Sequence, residues 1–173
     1  MFFDLRIYIV LLVNVCLVYV LSAVNSELAP VLYISVPAIF IISAALFLEF
    51  VPMLAVVAVS AFLCEATTGV RAGLTAALWM VAAYAVHSMR FRFRACDWFS
   101  ITALAEILNI ILLFFYSVFF YAGSSGFFEY AARVSADAFA SAVSLLFAGW
   151  FVVLLPVSVA NISGRQMSIN GEE

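Results

Sequence analysis

Between Trp98 and Tyr121 the chain runs through apolar residues with one charged side chain, Glu106, and the run from Ile7 to Val24 has none. A helix needs about 20 such residues to cross the hydrocarbon of a bilayer. Lipid offers no partner to a bare N–H or C=O, so a chain that enters it closes its backbone hydrogen bonds within helices. The composition agrees: 68% of the 173 residues are hydrophobic and 10% charged, where a soluble domain has about 45–50% and 25%. The chain reads as an all-α, polytopic membrane protein with a single transmembrane domain over residues 1–160 and a short polar tail over 161–173.

Six apolar stretches divide it, at about 5–24, 31–48, 53–68, 73–89, 98–121 and 136–159. The first is too long for the apolar core of a signal peptide, and neither a basic leader nor an A-x-A site accompanies it. Pro37 falls near the start of the second, where a helix tolerates proline most easily. The third has only a dozen apolar residues from Met53 to Cys64, so it spans by carrying Glu65, Ala66, Thr67 and Thr68 into the interface and ending at Gly69. One helix from Met53 to Met89 would be about 55 Å long, so two short spans joined at Gly69 are expected instead. Phe127 to Val134, which mixes aromatics with Glu129 and Arg133, suits a separate short helix lying in the interface. All seven basic residues are arginine. Six spans put Arg6, Arg90, Arg92, Arg94 and Arg165 on one side and Arg71 and Arg133 on the other, which orients both termini to the cytoplasm.

The stretch from Phe62 to Trp98 is the densest in signals. Gly69, Gly73, Ala77, Met80, Tyr84 and His87 fall on one side of a helix. One reading is a small-residue face that a neighbouring backbone approaches closely, with Gly73 and Ala77 in a helix–helix contact; the other is a turn followed by an ordinary apolar span. Ala136, Ala140, Ser144 and Ala148 form a second such face. Glu65 is expected to fix the turn, by accepting hydrogen bonds from backbone amides around Gly69 or by pairing with Arg71.

Little here is suited to catalysis. His87 has no second histidine or clustered cysteine beside it with which to build a metal site, and Cys16, Cys64 and Cys96 are scattered. A hydrogen-bonding role is the plainer reading of His87. Arg90, Arg92 and Arg94 either bind anionic headgroups or simply orient the chain. Thr102, Glu106 and Asn109 make a polar stripe, with Ser117 further along it. A charge at the bilayer centre costs about 2.5–3.5 kcal/mol on insertion scales, so the stripe is either a substrate or proton path or a hydrogen-bonded face turned to other helices.

Glu65, Gly69, Gly73, Ala83 and Tyr84, followed by the basic loop and Trp98, resemble the rod shape-determining MreD family of bacterial inner-membrane proteins. Glu65 stands where that family more often has Asp. The resemblance implies a non-enzymatic, cofactor-free scaffold for side-wall peptidoglycan synthesis. Its partners would be an MreC-type bitopic protein and, indirectly, the MreB filament, RodA and its transpeptidase; nucleic acid is not among them. It also implies a fold similar to the six-helix substrate-binding subunits of energy-coupling-factor vitamin transporters, and that function is the alternative. The short connection after the first span and the missing Ala-xxx-Ala face on it argue against the alternative.

The arginine bias predicts a labelling pattern. A thiol-reactive reagent added outside intact cells should modify a cysteine substituted for Ser125 and miss one substituted for Ser168. The reverse pattern would overturn the orientation.

Overall fold

The computed structural model describes residues 5–28, 32–68, 73–89, 98–120, 126 and 128–147. The described residues form helices α1 (Leu5–Leu28), α2 (Pro37–Phe47), α3 (Phe50–Thr68), α4 (Leu74–Met89) and α5 (Trp98–Phe120), and α6 over residues 128–147. Three segments, Arg6–Leu28, Phe50–Thr68 and Phe99–Val118, are long and apolar enough to cross a membrane.

The second apolar stretch departs most from expectation. Helix begins only at Pro37, and residues 32–36 are not helical. Proline at N1 needs no partner for a missing N–H, while its ring drives the preceding residue away from helical geometry; Val36 accordingly sits at φ −127°. The 11 residues of α2 give a rod of about 16 Å, well short of a crossing. The expected interfacial helix over Phe127 to Val134 is also corrected, because α6 runs unbroken through the expected boundary at Ala136. Ser135 stays in the helix by returning its hydroxyl to the Ala131 carbonyl at 2.7 Å. Residues 148–159, the far part of the expected sixth stretch, lie outside the described residues.

The core is built around α2. Every residue from Pro37 to Ala45 is buried, and α2 packs against α1, α3, α4 and α5. A helix that is apolar all round has no face to give to solvent, so it belongs in the middle. Phe40 of α2 stacks on Trp79 of α4 with centroids 5.4 Å apart and ring planes 11° from parallel.

One polar group ties three helices together at this level. Asn14 of α1 is fully buried, and its Nδ2 donates to Ser60 Oγ of α3 at 3.0 Å and to the Phe40 carbonyl at 3.5 Å. The Ser43 hydroxyl of α2 is shared between Asn14 Oδ1 at 3.4 Å and the Phe40 carbonyl at 3.3 Å. Buried amides of this kind are expensive without partners, and here both ends of the amide have them.

Asn14→Ala should therefore lower the unfolding free energy by about 1–2 kcal/mol, read by denaturant titration in mild detergent. Cys16→Ala, at an exposed position on the same helix, should change nothing measurable. Equal stability of the two variants would remove Asn14 from the account.

Candidate functional site

The ends of α1, α3 and α5 and the beginnings of α2, α4 and α6 meet at one end of the bundle, and the polar chemistry of the chain gathers there. Glu65, in the last turn of α3, is buried. Its Oε2 accepts the Gly73 amide at 2.8 Å and its Oε1 the Ala76 amide at 3.2 Å. The first turn of any helix leaves amides without an internal partner, and a carboxylate beside them also meets the positive end of the helix dipole. Glu65 thus caps the helix that follows its own. The amides it takes are those of Gly73 and Ala76; Gly69 and Arg71, also considered as its partners, lie outside the described residues.

Gly73 has a φ of +94°, and a Cβ built on it would meet nothing within 4 Å. Among the described residues the expected close helix–helix contact at Gly73 is therefore not made. Glycine is needed for the backbone conformation, which L side chains adopt at a cost. The buried face of α4 is Thr75, Ala76, Trp79, Ala83 and Val86; Ala77 and Tyr84 are exposed. Trp79 decides this orientation, because it is the largest side chain on α4 and carries an N–H that needs a partner. Its Nε1 donates to the Tyr116 hydroxyl of α5 at 2.6 Å. Tyr84 packs edge-on against Phe50 at 6.1 Å. His87 meets the Ala45 carbonyl at 3.1 Å; a carbonyl only accepts, so Nδ1 carries the proton and serves the last turn of buried α2.

In the non-helical residues 32–36 the Leu32 amide returns to the Leu28 carbonyl at 2.9 Å, and the next three residues are held by side chains from other helices. Asn25 of α1 accepts the Ile34 amide and donates to the Ile34 carbonyl, both at 2.8 Å. Asp137 of α6 accepts the Tyr33 amide at 2.8 Å and Ser141 the Ser35 amide at 2.9 Å. The face of α6 turned inward is consequently that of Asp137, Ser141 and Leu145, with Ser141 and Leu145 fully buried, and Ala136 of the expected small-residue face is exposed. Sequence reading missed this set. Pro37 and the i, i+4 spacing of Asp137 and Ser141 were the signals available for it.

These elements enclose a cavity of about 630 Å³. Val18, Val36, Phe40 and Trp79, all buried, form its apolar inner wall, and Ser26, Thr67, Thr68 and Arg133 stand at its exposed edge. Thr67 and Thr68 both return their hydroxyls to the Cys64 carbonyl, at 2.9 and 2.8 Å, which closes the end of α3.

The polar stripe of α5 faces inward. Thr102 and Asn109 are buried beside Ile101, Ala105 and Leu112, and Glu106 is half-buried. Glu106 Oε1 and Asn109 Oδ1 are buried and find no hydrogen-bond partner among the described residues. Ser117, further along, reaches the cavity, and its carbonyl accepts the Tyr130 hydroxyl of α6 at 2.7 Å. Among the described residues no group of three His, Cys, Asp or Glu side chains is placed to hold a metal ion. Arg90, Arg92 and Arg94 lie outside the described residues. No known protein family, curated protein sequence or solved structure matches the chain.

The two motif residues can be told apart by their variants. Glu65→Leu strips the Gly73 and Ala76 amides of their acceptor, which should cost about 1–3 kcal/mol, and Glu65→Gln should cost less. At Gly73 a conformational penalty of about 1–2 kcal/mol is expected for Gly73→Ala, with Gly73→Leu no worse and Gly73→Asn milder. A loss of thermal stability that climbs with side-chain size would instead mark a packing contact.

Proposed function

We propose that the chain is a non-enzymatic scaffold in a bacterial inner membrane, crossing it six times, the second time by residues 32–36 and α2 together, with both termini in the cytoplasm, and that it holds the transmembrane helix of an MreC-type partner in the rod complex. The observation that carries this reading is the outward turn of α4. Ala77 is exposed, the space beside Gly73 is open, and Tyr84 is 59% exposed. Helices associate in lipid where small side chains let backbones come close, and among the described residues no helix lies against this face at Gly73. The resemblance of Glu65, Gly69, Gly73, Ala83 and Tyr84 to the MreD family names the partner, and through it the MreB filament, RodA and its transpeptidase.

A second reading, the substrate-binding subunit of an energy-coupling-factor vitamin transporter, is favoured by the cavity. In the proposed orientation its exposed edge looks out of the cell.

Ala77→Trp tests the scaffold reading, since it obstructs the face without touching the core. It should fold and accumulate normally, reduce co-purification of an MreC-type protein in mild detergent at least fivefold, and fail to restore rod shape to depleted cells. Undiminished capture by Ala77→Trp would remove α4 as the docking face. Co-purification of an energy-coupling ATPase, with cell shape unaffected by depletion, would replace the scaffold by the second reading.

A further inference from the structure

The end cavity has a polarity gradient, and that gradient selects a kind of ligand. Its volume of about 630 Å³ lies in the range of pockets that enclose a drug-sized molecule, and filled with solvent it would hold roughly 20 waters. Its inner wall makes no polar demand. Trp79 Nε1 is already spent on Tyr116 at 2.6 Å, the Tyr116 hydroxyl is also bonded to the Thr75 side chain, and Val18, Val36 and Phe40 have only apolar side chains. Water against that wall gives up hydrogen bonds for nothing, so an apolar group belongs there.

The exposed edge is different. Ser26, Thr67 and Thr68 offer hydroxyl oxygens, and Arg133 and Asp137 lie one helical turn apart with opposite charges. The two charges sum to zero, so the edge carries no net charge with which to select an ion, and hydrogen bonding is left to choose the polar end.

We infer that this cavity binds a small, net-neutral amphiphile, with an apolar body against the wall of Val18, Val36, Phe40 and Trp79 and a hydrogen-bonding end at the edge formed by Thr67, Thr68 and Ser26. The inference rests on the reading that the cavity is a ligand site and adds the ligand's chemistry. It is independent of the partner face on α4.

Site-directed thiol labelling tests it on the full chain in lipid nanodiscs. Ser22, half-buried on α1, lines the cavity. Ser22→Cys is made in a chain whose native cysteines are all replaced by serine. A parallel chain retains only Cys16, which is exposed on the outer side of α1. The probes are N-phenylmaleimide (apolar and neutral), N-ethylmaleimide, and a sulfonated phenylmaleimide, with each rate divided by that for glutathione.

At position 22, N-phenylmaleimide should react at least tenfold faster than either of the others, with a rate that saturates as its concentration rises. At Cys16 the rate should rise linearly. Leu113→Trp, which fills the cavity from α5, should abolish saturation at position 22 and leave Cys16 unchanged. Where that variant does not accumulate, Val134→Trp from the α6 wall takes its place. Linear kinetics at position 22, indifference to both fillings, or preference for the sulfonated probe would overturn the inference. So would an unreactive position 22 together with one phospholipid retained per chain in native mass spectra, which would assign the space to an acyl chain. Capture of a coupling ATPase is read separately, so loss of the transporter reading and loss of the ligand site are distinguishable.

Discussion

A buried helix too short to cross the membrane has to find partners for both of its ends inside the protein, and α2 is such a helix. Its 11 residues are enclosed by four other helices. Its terminal backbone groups need partners, since each one left bare in an apolar setting costs several kcal/mol. In the segment that leads into it the amides of Tyr33, Ile34 and Ser35 are taken by Asp137, Asn25 and Ser141, and in its first turn the Ile39 amide returns to the Val36 carbonyl. At the trailing end the Leu48 amide returns to Ala44, and His87 serves the Ala45 carbonyl. These demands fix the rotation of α1, α4 and α6 about their own axes, and the cavity is the space left where the leading end is tied down.

The long helices were legible in the sequence. α1, α3 and α5 lie where unbroken apolar runs place them, because length and hydropathy are enough to identify a helix in lipid. The inward faces were not legible, and they fail in the same direction twice. On α4 the expected face contained Gly73, Ala77 and Tyr84, and the buried one contains Thr75, Trp79 and Ala83. On α6 the expected face contained Ala136, which is exposed, and Ala140; the residues bonded inward are Asp137, half-buried, and Ser141, fully buried. Lipid is as comfortable for alanine as the protein interior is, so small residues exert little pull inward. Hydroxyls, carboxylates and the indole N–H have partners only inside, and they turn the helix. Polarity was the better guide than size, and nothing in the apolar periodicity of either helix reports it.

Glu65 and Glu106 illustrate how much environment matters. Glu65 is buried and has two backbone amides aimed at its carboxylate, so its position is explained by the helix it caps. Glu106 has a buried oxygen that no described group meets, beside an Asn109 oxygen in the same condition. The stripe that carries them faces the bundle, as a hydrogen-bonded face would, yet these two acceptors are not engaged by it. A carboxyl group and an amide three residues apart on one helix are neighbours, and a proton on Glu106 would give Asn109 a donor.

The tie between residues 32–36 and α6 also sets a clock. Tyr33 and Asp137 are 104 residues apart in the chain, and Ser35 and Ser141 are 106 apart. At about 5–20 residues per second of synthesis, the leading end of α2 exists for some 5–20 seconds before the side chains that secure it. During that interval, of the three side chains that hold this segment, only Asn25 has been made. The chain is complete as a structure only when its last described helix arrives, which makes α6 the element whose loss during biogenesis would be felt first at the far end of the sequence.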